Sequence, residues 1–251
     1  MFINNIDPVL FRIGSLQIRY YGIIYALGFL FAVRYMARLA RDKKIPLTVE
    51  EVYDLMVYII FGVLIGARVF EILFYQPGYY FSNPAQMIAY WNGGLSFHGG
   101  LVGAIIGGLI YLRKKKIGFY KIADYMVIPA ALALAFGRIA NFINGEIYGK
   151  ITTVPWAVKF NGVEGYRHPA QLYESIGMFF TFGLLYKWRN KKYKPGFMFW
   201  MFVVLYGGIR FVIEFWKVDE NYFLGFPVGQ WLSLVMLVVG LVVLYRNYRK
   251  K

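Results

Sequence analysis

The sequence predicts an all-α polytopic membrane protein of about seven transmembrane helices. Three observations predict it. Of 251 residues, 59% are hydrophobic and only 16% are charged, whereas a soluble domain is about half apolar and a quarter charged. The charges are confined to short stretches, separated by apolar runs of roughly 20 residues, the length that crosses a ~30 Å hydrocarbon core. The basic residues occupy alternate loops, as positive-inside topology requires.

The spans are expected near residues 20–38, 50–74, 95–112, 122–142, 168–187, 196–216 and 228–246. One set of loops carries Arg38, Arg41, Lys43 and Lys44, then Arg113, Lys114, Lys115, Lys116 and Lys121. It continues with Lys187, Arg189, Lys191, Lys192 and Lys194, and ends with Arg246, Arg249, Lys250 and Lys251. This set should be cytoplasmic. The C-terminus is then inside and, with an odd number of spans, the N-terminus outside. Residues 1–251 read as a single integral membrane domain. Met1 to Arg19 lack the basic, apolar and small-residue regions of a cleaved leader. Asp7 and Pro8, with their apolar neighbours, read as an outer interfacial segment. Residues 75–94 mix Tyr, Trp, Pro and Asn, as interfacial segments do. Residues 143–167 alternate Val154, Trp156 and Val158 before Asn161-Gly162, which predicts a small β-hairpin head inserted on the outer face. The net charge of +15 does not point to nucleic acid, because its carriers sit in the membrane loops. The absence of cysteine excludes disulfides, thiolate metal sites and a cysteine nucleophile.

The third span opens with Gly99, Gly100, Gly103, Ala104, Gly107 and Gly108, two rows of small residues at a spacing that lets helices approach closely in lipid. Tight packing is the expected role.

Charged side chains inside a bilayer cost at least ~2.5–3.5 kcal/mol each, so they are candidates for function. Arg138 closes an apolar stretch and opens GRIANFINGEIYG, residues 137–149. Asn141 follows on the same helical face, and Asn144, Gly145 and Glu146 come next, the glycine ending the helix. Tyr206, Arg210 and Glu214 line one face of the sixth span at four-residue spacing. Two arginines facing a bundle interior suit a phosphate, which guanidinium binds bidentately. Arg68 and Glu71, three apart in the second span, read as a structural ion pair. His98, flanked by glycines in GGLSFHGG, is placed to move a proton near neutral pH. His168, before Pro169, reads as a capping or orienting residue. No GxSxG, HExxH, GxxxxGK[ST] or acidic metal cluster is present. The polar groups therefore suit binding an anion and shifting a proton, with the nucleophile supplied by a substrate.

GRIANFINGEIYG resembles the signature of the bacterial prolipoprotein diacylglyceryl transferases. DPVLFRIG, RYYGIIYALGF, GGLSFHGGL, HPAQLYE and YGGIRFVIEF extend the resemblance, in the family's order, over nearly the whole chain. Ala140 stands where the family signature usually has glycine; its extra methyl removes no polar group. The resemblance implies transfer of the diacylglyceryl group of phosphatidylglycerol to the thiol of the lipobox cysteine in a prolipoprotein signal peptide. A thioether forms and glycerol phosphate is released, at the outer leaflet of the bacterial cytoplasmic (inner) membrane. It marks Tyr21, His98, Arg138, Asn141, Glu146, Gly149, Tyr206, Arg210 and Glu214 as site residues. Arg138 and Arg210 are expected to hold the phosphate, and His98 to take the thiol proton or orient the attack. Asn141 and Glu146 would orient Arg138 and the head group, and Glu214 would fix Arg210. The partners implied are phosphatidylglycerol, lipobox peptides and membrane lipid. No metal and no organic cofactor is expected, because a displacement with a phosphate leaving group needs neither.

The alternative reading is a transporter or flippase for an anionic solute or lipid, since buried arginines and glycine-rich helices also suit that class. Such proteins often carry inverted repeats and paired broken helices, and no convincing repeat is visible. An intramembrane protease lacks a persuasive serine or aspartate pair here, and a scaffold would leave the buried arginines without a purpose.

Overall fold

Each expected span contains a helix. The computed structural model describes residues 2–14, 16–218 and 222–248; of the C-terminal basic group, Arg249, Lys250 and Lys251 lie outside the described residues. Seven helices have between 17 and 26 residues: α1 Tyr20–Arg41, α2 Val49–Phe70, α4 Phe97–Lys114, α5 Phe119–Asn144, α6 Ala170–Trp188, α7 Phe197–Ile213 and α8 Val228–Tyr248. The short α3, Pro77–Ser82, lies between α2 and α4. α2 continues through a π-helical segment, Glu71–Tyr75, and α7 through a 3₁₀ turn, Glu214–Trp216. Among the described residues, five helices are long and apolar enough to cross a membrane: α1, α2 with its extension, α5, α7 with its extension, and α8. α4, rich in glycine and ending in Arg113-Lys114, and α6, with Gln171, Glu174 and Lys187, fall outside that set. Many outward side chains are large and apolar, among them Leu27, Phe61, Ile65, Val235 and Leu241. That is expected where the solvent is lipid and backbone polar groups are satisfied within each helix. The chain is a mostly helical membrane protein.

The packing separates two compact units, residues 33–122 and residues 1–32 with 123–251. In the first, α2 and α4 meet along glycines. A Cβ on Gly103 would collide with the Gly62 carbonyl oxygen, one on Gly99 with that of Gly66, and one on Gly107 with that of Tyr58. A Cβ on Gly100 or Gly108 would make ordinary van der Waals contact, its nearest atom a side-chain carbon at 3.5 and 3.8 Å respectively. One of the two small-residue rows therefore makes the interface. Thr48 and Glu51 close a capping box at the start of α2, and Lys115 pairs with Glu51 at 2.7 Å.

The expected ion pair between Arg68 and Glu71 does not form. Arg68 instead donates to Tyr80 Oη at 2.8 Å, Gly94 O at 3.0 Å and Ala89 O at 2.8 Å, while Glu71 accepts from Gln76 Nε2 at 3.3 Å. The neighbouring 75–94 segment folds back over the arginine through α3 and two 3₁₀ turns, Pro84–Ile88 and Tyr90–Asn92. It supplies acceptors that the local i,i+3 spacing did not reveal.

In the second unit the head is a small sheet. β4 Val158–Phe160 pairs antiparallel with β5 Tyr166–Arg167, Val158 opposite Arg167. The hairpin forms, but Val154 and Trp156 precede it. β1, Phe2–Asn4, adds to β4 in parallel, Phe2 opposite Val158, and Asn4 Nδ2 donates to Phe142 O at 2.6 Å. Phe142 O is one of the last carbonyls of α5, where the helix ladder runs out, and it also accepts the Gly145 N–H at 3.0 Å. Phe160 is fully buried and packs on Phe142 and Tyr148. The expected interfacial segment before α1 also forms a hairpin, β2 Val9–Ile13 with β3 Leu16–Arg19. A third small pair, β6 Tyr222–Phe223 with β7 Phe226–Pro227, precedes α8. At the far end of α5, Asp124 receives the backbone N–H of Gly196 at 2.6 Å and of Phe199 at 2.9 Å, so a carboxylate on one helix caps the start of α7.

Candidate active site

The polar residues singled out near the end of α5 do not stand alone. Arg138 Nε meets Glu174 Oε2 of α6 at 2.7 Å, and Arg138 Nη1 donates to Asn141 Oδ1 at 3.1 Å. α5 stops at Asn144 because Gly145 adopts φ +70°, the left-handed region that glycine enters without penalty. The turn brings Glu146 back, where its Oε1 accepts from Asn141 Nδ2 at 2.7 Å and Asn144 Nδ2 at 3.2 Å. Gln171 of α6, fully buried, donates to the Glu146 carbonyl at 2.6 Å.

α7 contributes the second arginine from its last turn, where the helix carbonyl end favours a cation. Arg210 Nη1 meets Glu174 Oε1 at 2.6 Å, and Nη2 meets Glu214 Oε2 at 3.1 Å. Lys217 approaches Glu174 Oε1 at 3.5 Å and Glu214 Oε2 at 3.8 Å. Glu174 and Glu214 are each 2% exposed. Thus Arg138, Arg210 and Lys217 converge on two buried carboxylates, and Glu146 is held one amide away from Arg138 through Asn141. Just beyond the end of the α7 extension, burial and then the neighbouring Arg210 hold the Lys217 ammonium below its ordinary value.

Gly149 anchors this arrangement by its lack of a side chain. Its N–H donates to His168 O at 2.8 Å, and a Cβ there would lie 2.5 Å from Trp216 O and 2.7 Å from His168 Cβ. Residues 149, 168 and 216 therefore cross at a point where only glycine fits, which locates Lys217 at the end of α7. His168 does not cap α6. Its Nδ1 lies 3.0 Å from Tyr173 Oη, and the Tyr173 hydroxyl accepts from Trp156 Nε1 at 2.7 Å. Tyr21 hydrogen-bonds Tyr25 at 3.1 Å and lies within electrostatic reach of Arg138 and Glu146; the Tyr25 hydroxyl rests 3.5 Å from where a Cβ on Gly137 would stand. Tyr206 stacks on Phe202, one turn before Arg210. Ala140 is fully buried, so the packing of α5 accommodates its methyl group. His98 belongs to the unit of residues 33–122, in the first turn of α4, with Nδ1 3.3 Å from Tyr75 Oη.

Sequence reasoning missed Glu174, Gln171 and Lys217. Glu174 carried a usable signal, a carboxylate in the middle of an apolar run within HPAQLYE.

A mostly helical membrane protein that gathers two half-buried arginines and a buried lysine in this way has cations placed where an anion could be held. Residues 8–246 match the family described as Prolipoprotein diacylglyceryl transferase. The chain is 41% identical to the phosphatidylglycerol–prolipoprotein diacylglyceryl transferase of Geobacter sulfurreducens, over 98% of this chain and 97% of the relative. It is 40% identical to that of Bordetella parapertussis, over 94% and 93%, and 39% identical to that of Nitrosomonas europaea, over 97% and 90%. The chain belongs to the prolipoprotein diacylglyceryl transferase family and is a transferase of lipoprotein biosynthesis. That membership decides against the transporter reading.

Proposed function

We propose that the chain transfers the diacylglyceryl group of phosphatidylglycerol to the thiol of a lipobox cysteine in a prolipoprotein signal peptide. The thiolate sulfur attacks the glyceryl carbon that bears the phosphate. The carbon–oxygen bond breaks, a thioether forms, and glycerol phosphate leaves. The observation that carries this reading is the convergence of Arg138, Arg210 and Lys217, from two helices and the segment after the second, around Glu174. A phosphodiester brings one negative charge, and on leaving it gathers more. Arg138 and Arg210 hold that charge as it develops, and charge stabilisation of this kind supplies a large share of a displacement's rate. Glu174 is the shared carboxylate that fixes both guanidinium planes, and Glu214 fixes Arg210. Asn141 and Glu146 orient Arg138 and the head group, while Tyr21, Gly149 and Tyr206 complete the binding site. His98 is the group assigned to the thiol proton, which the nucleophile must lose because the thiolate attacks; the same proton can end on the departing phosphate.

The chain works in the bacterial cytoplasmic membrane as one seven-span enzyme. Its N-terminus and the 143–167 head lie outside, its basic loops and C-terminus inside, and its chemistry occurs at the outer leaflet. The decisive experiment gives reconstituted protein phosphatidylglycerol labelled in the glyceryl backbone and a lipobox peptide, with a serine-for-cysteine peptide as control. Label on the cysteine peptide alone, with glycerol phosphate released, is the expected result. No transfer by folded protein in a suitable lipid overturns the proposal.

A further inference from the structure

We infer that Arg68 is a positioning residue for His98, setting the imidazole through the loop that carries it. This rests on the reading of His98 as a reacting group. Arg68 is 3% exposed, and no ion pair to it occurs among the described residues. A buried arginine without a carboxylate is expensive. Here its charge is spread over three neutral acceptors and two aromatic faces. It donates to Tyr80 Oη, Gly94 O and Ala89 O, and its guanidinium carbon lies 4.7 Å from the Tyr90 ring centroid and 5.6 Å from that of Tyr80. One planar fork thus fixes three points of the 80–94 segment, which a lysine, as a single point charge, cannot do.

Both ends of that segment lead to His98. On one side, the π-helical turn that continues α2 beyond Arg68 places the Tyr75 hydroxyl 3.3 Å from His98 Nδ1. On the other, Gly94 passes into Ser96, whose N–H donates to Ala67 O at 3.0 Å and whose Oγ caps the N–H of Gly99 at 3.2 Å. His98 sits between those two capped residues. Gly94 adopts φ +70°, and a Cβ there would collide with the Tyr80 hydroxyl and stand 3.3 Å from Arg68 Nη1. The glycine therefore leaves the room that the fork needs. A base working through Nε2 keeps its proton on Nδ1, and Tyr75 Oη is the acceptor that orients it.

The test uses full-length protein in nanodiscs with 15N-labelled histidine. The sequence has two histidines, so the His98 signals are assigned by their loss in His98→Asn. Arg68→Lys and Gly94→Ala should each lower kcat by about 10²-fold, the cost of a misplaced reacting group. KM for phosphatidylglycerol should change little, and the His98 ring nitrogens should shift. Tyr75→Phe should shift the same signals. A role in stability alone predicts lower yield or Tm with the His98 signals in place, and that result overturns the inference. So does wild-type kcat in folded Arg68→Lys and Gly94→Ala. If Arg68→Lys does not accumulate, unshifted His98 signals in Gly94→Ala and Tyr75→Phe overturn it equally. Wild-type activity in His98→Asn sinks the base reading. Wild-type Arg68→Lys beside an inactive His98→Asn sinks the positioning role alone.

Discussion

Glu174 is the residue on which the phosphate site turns. It accepts from Arg138 on one oxygen and from Arg210 and Lys217 on the other. Replacing Arg138 by alanine should remove one charged donor aimed at the leaving phosphate, and kcat should fall by about 10²–10³-fold, read in the labelled-lipid assay with folded protein. Glu174→Gln is expected to act differently. The fold keeps its shape complementarity but loses the buried carboxylate charge that two half-buried guanidiniums share. The expected cost is about 3–5 kcal/mol of stability, as when one partner of a buried ion pair is removed, seen as a lower Tm in detergent. Lys217 gives the site a pH dependence. Its ammonium is held below the ordinary lysine value by burial and by Arg210, so rising pH removes its proton before that of a free lysine and takes one of the three cations out of the site. Activity should therefore decline on the alkaline side. Lys217→Arg, which keeps its charge, should extend activity to higher pH; an identical alkaline limb in the two enzymes would discard this role.

At the scale of elements, the α2–α4 contact separates glycines that matter from glycines that do not. Gly103 lies against the Gly62 backbone, whereas Gly100 has ordinary side-chain contact with Val63. Gly103→Ala should force the helices apart at about 1–3 kcal/mol, the usual cost of overpacking, while Gly100→Ala should be neutral within a few tenths, both read as Tm. Sequence spacing found both rows but could not say which faces a neighbour, because α4 presents small residues on two sides. The helices themselves were legible, since lipid demands long apolar runs whose backbone bonds close internally. β1 was not: its partner β4 lies across most of the chain, Phe2 against Val158, and a three-residue strand leaves no periodicity. In the site, Arg138 and Arg210 were legible because an arginine in lipid needs a reason. Glu174 escaped because its partner Arg210 stands 36 residues away, beyond any pattern within one helix. Arg68 was assigned to the wrong partner for the same reason, its acceptors being 12 to 26 residues away.

For the whole molecule, topology turns on whether α4 and α6 cross. Five helices meet the length and apolarity of a membrane span, and these two do not. Both cases have an odd number of crossings, so the termini lie on opposite sides either way and cannot discriminate. The intervening segments can. If all seven helices cross, the basic loop after α4 is inside and the 143–167 head is outside. If only five cross, with the N-terminus outside, Arg113, Lys114, Lys115 and Lys116 end outside and the head ends inside, on the same side as Lys191 and Lys192. That arrangement would place a dense basic cluster on the wrong face for the positive-inside rule. The chain contains no cysteine, so single introduced thiols report without background. Asn161→Cys in the head should react with a membrane-impermeant maleimide on intact spheroplasts. Lys114→Cys and Lys192→Cys should react only after permeabilisation. Labelling of residue 114 from outside, with residue 161 protected, would establish five crossings and move the chemistry of Arg138 and Glu146 to the cytoplasmic face. A peptide thiol presented from outside could not then reach it.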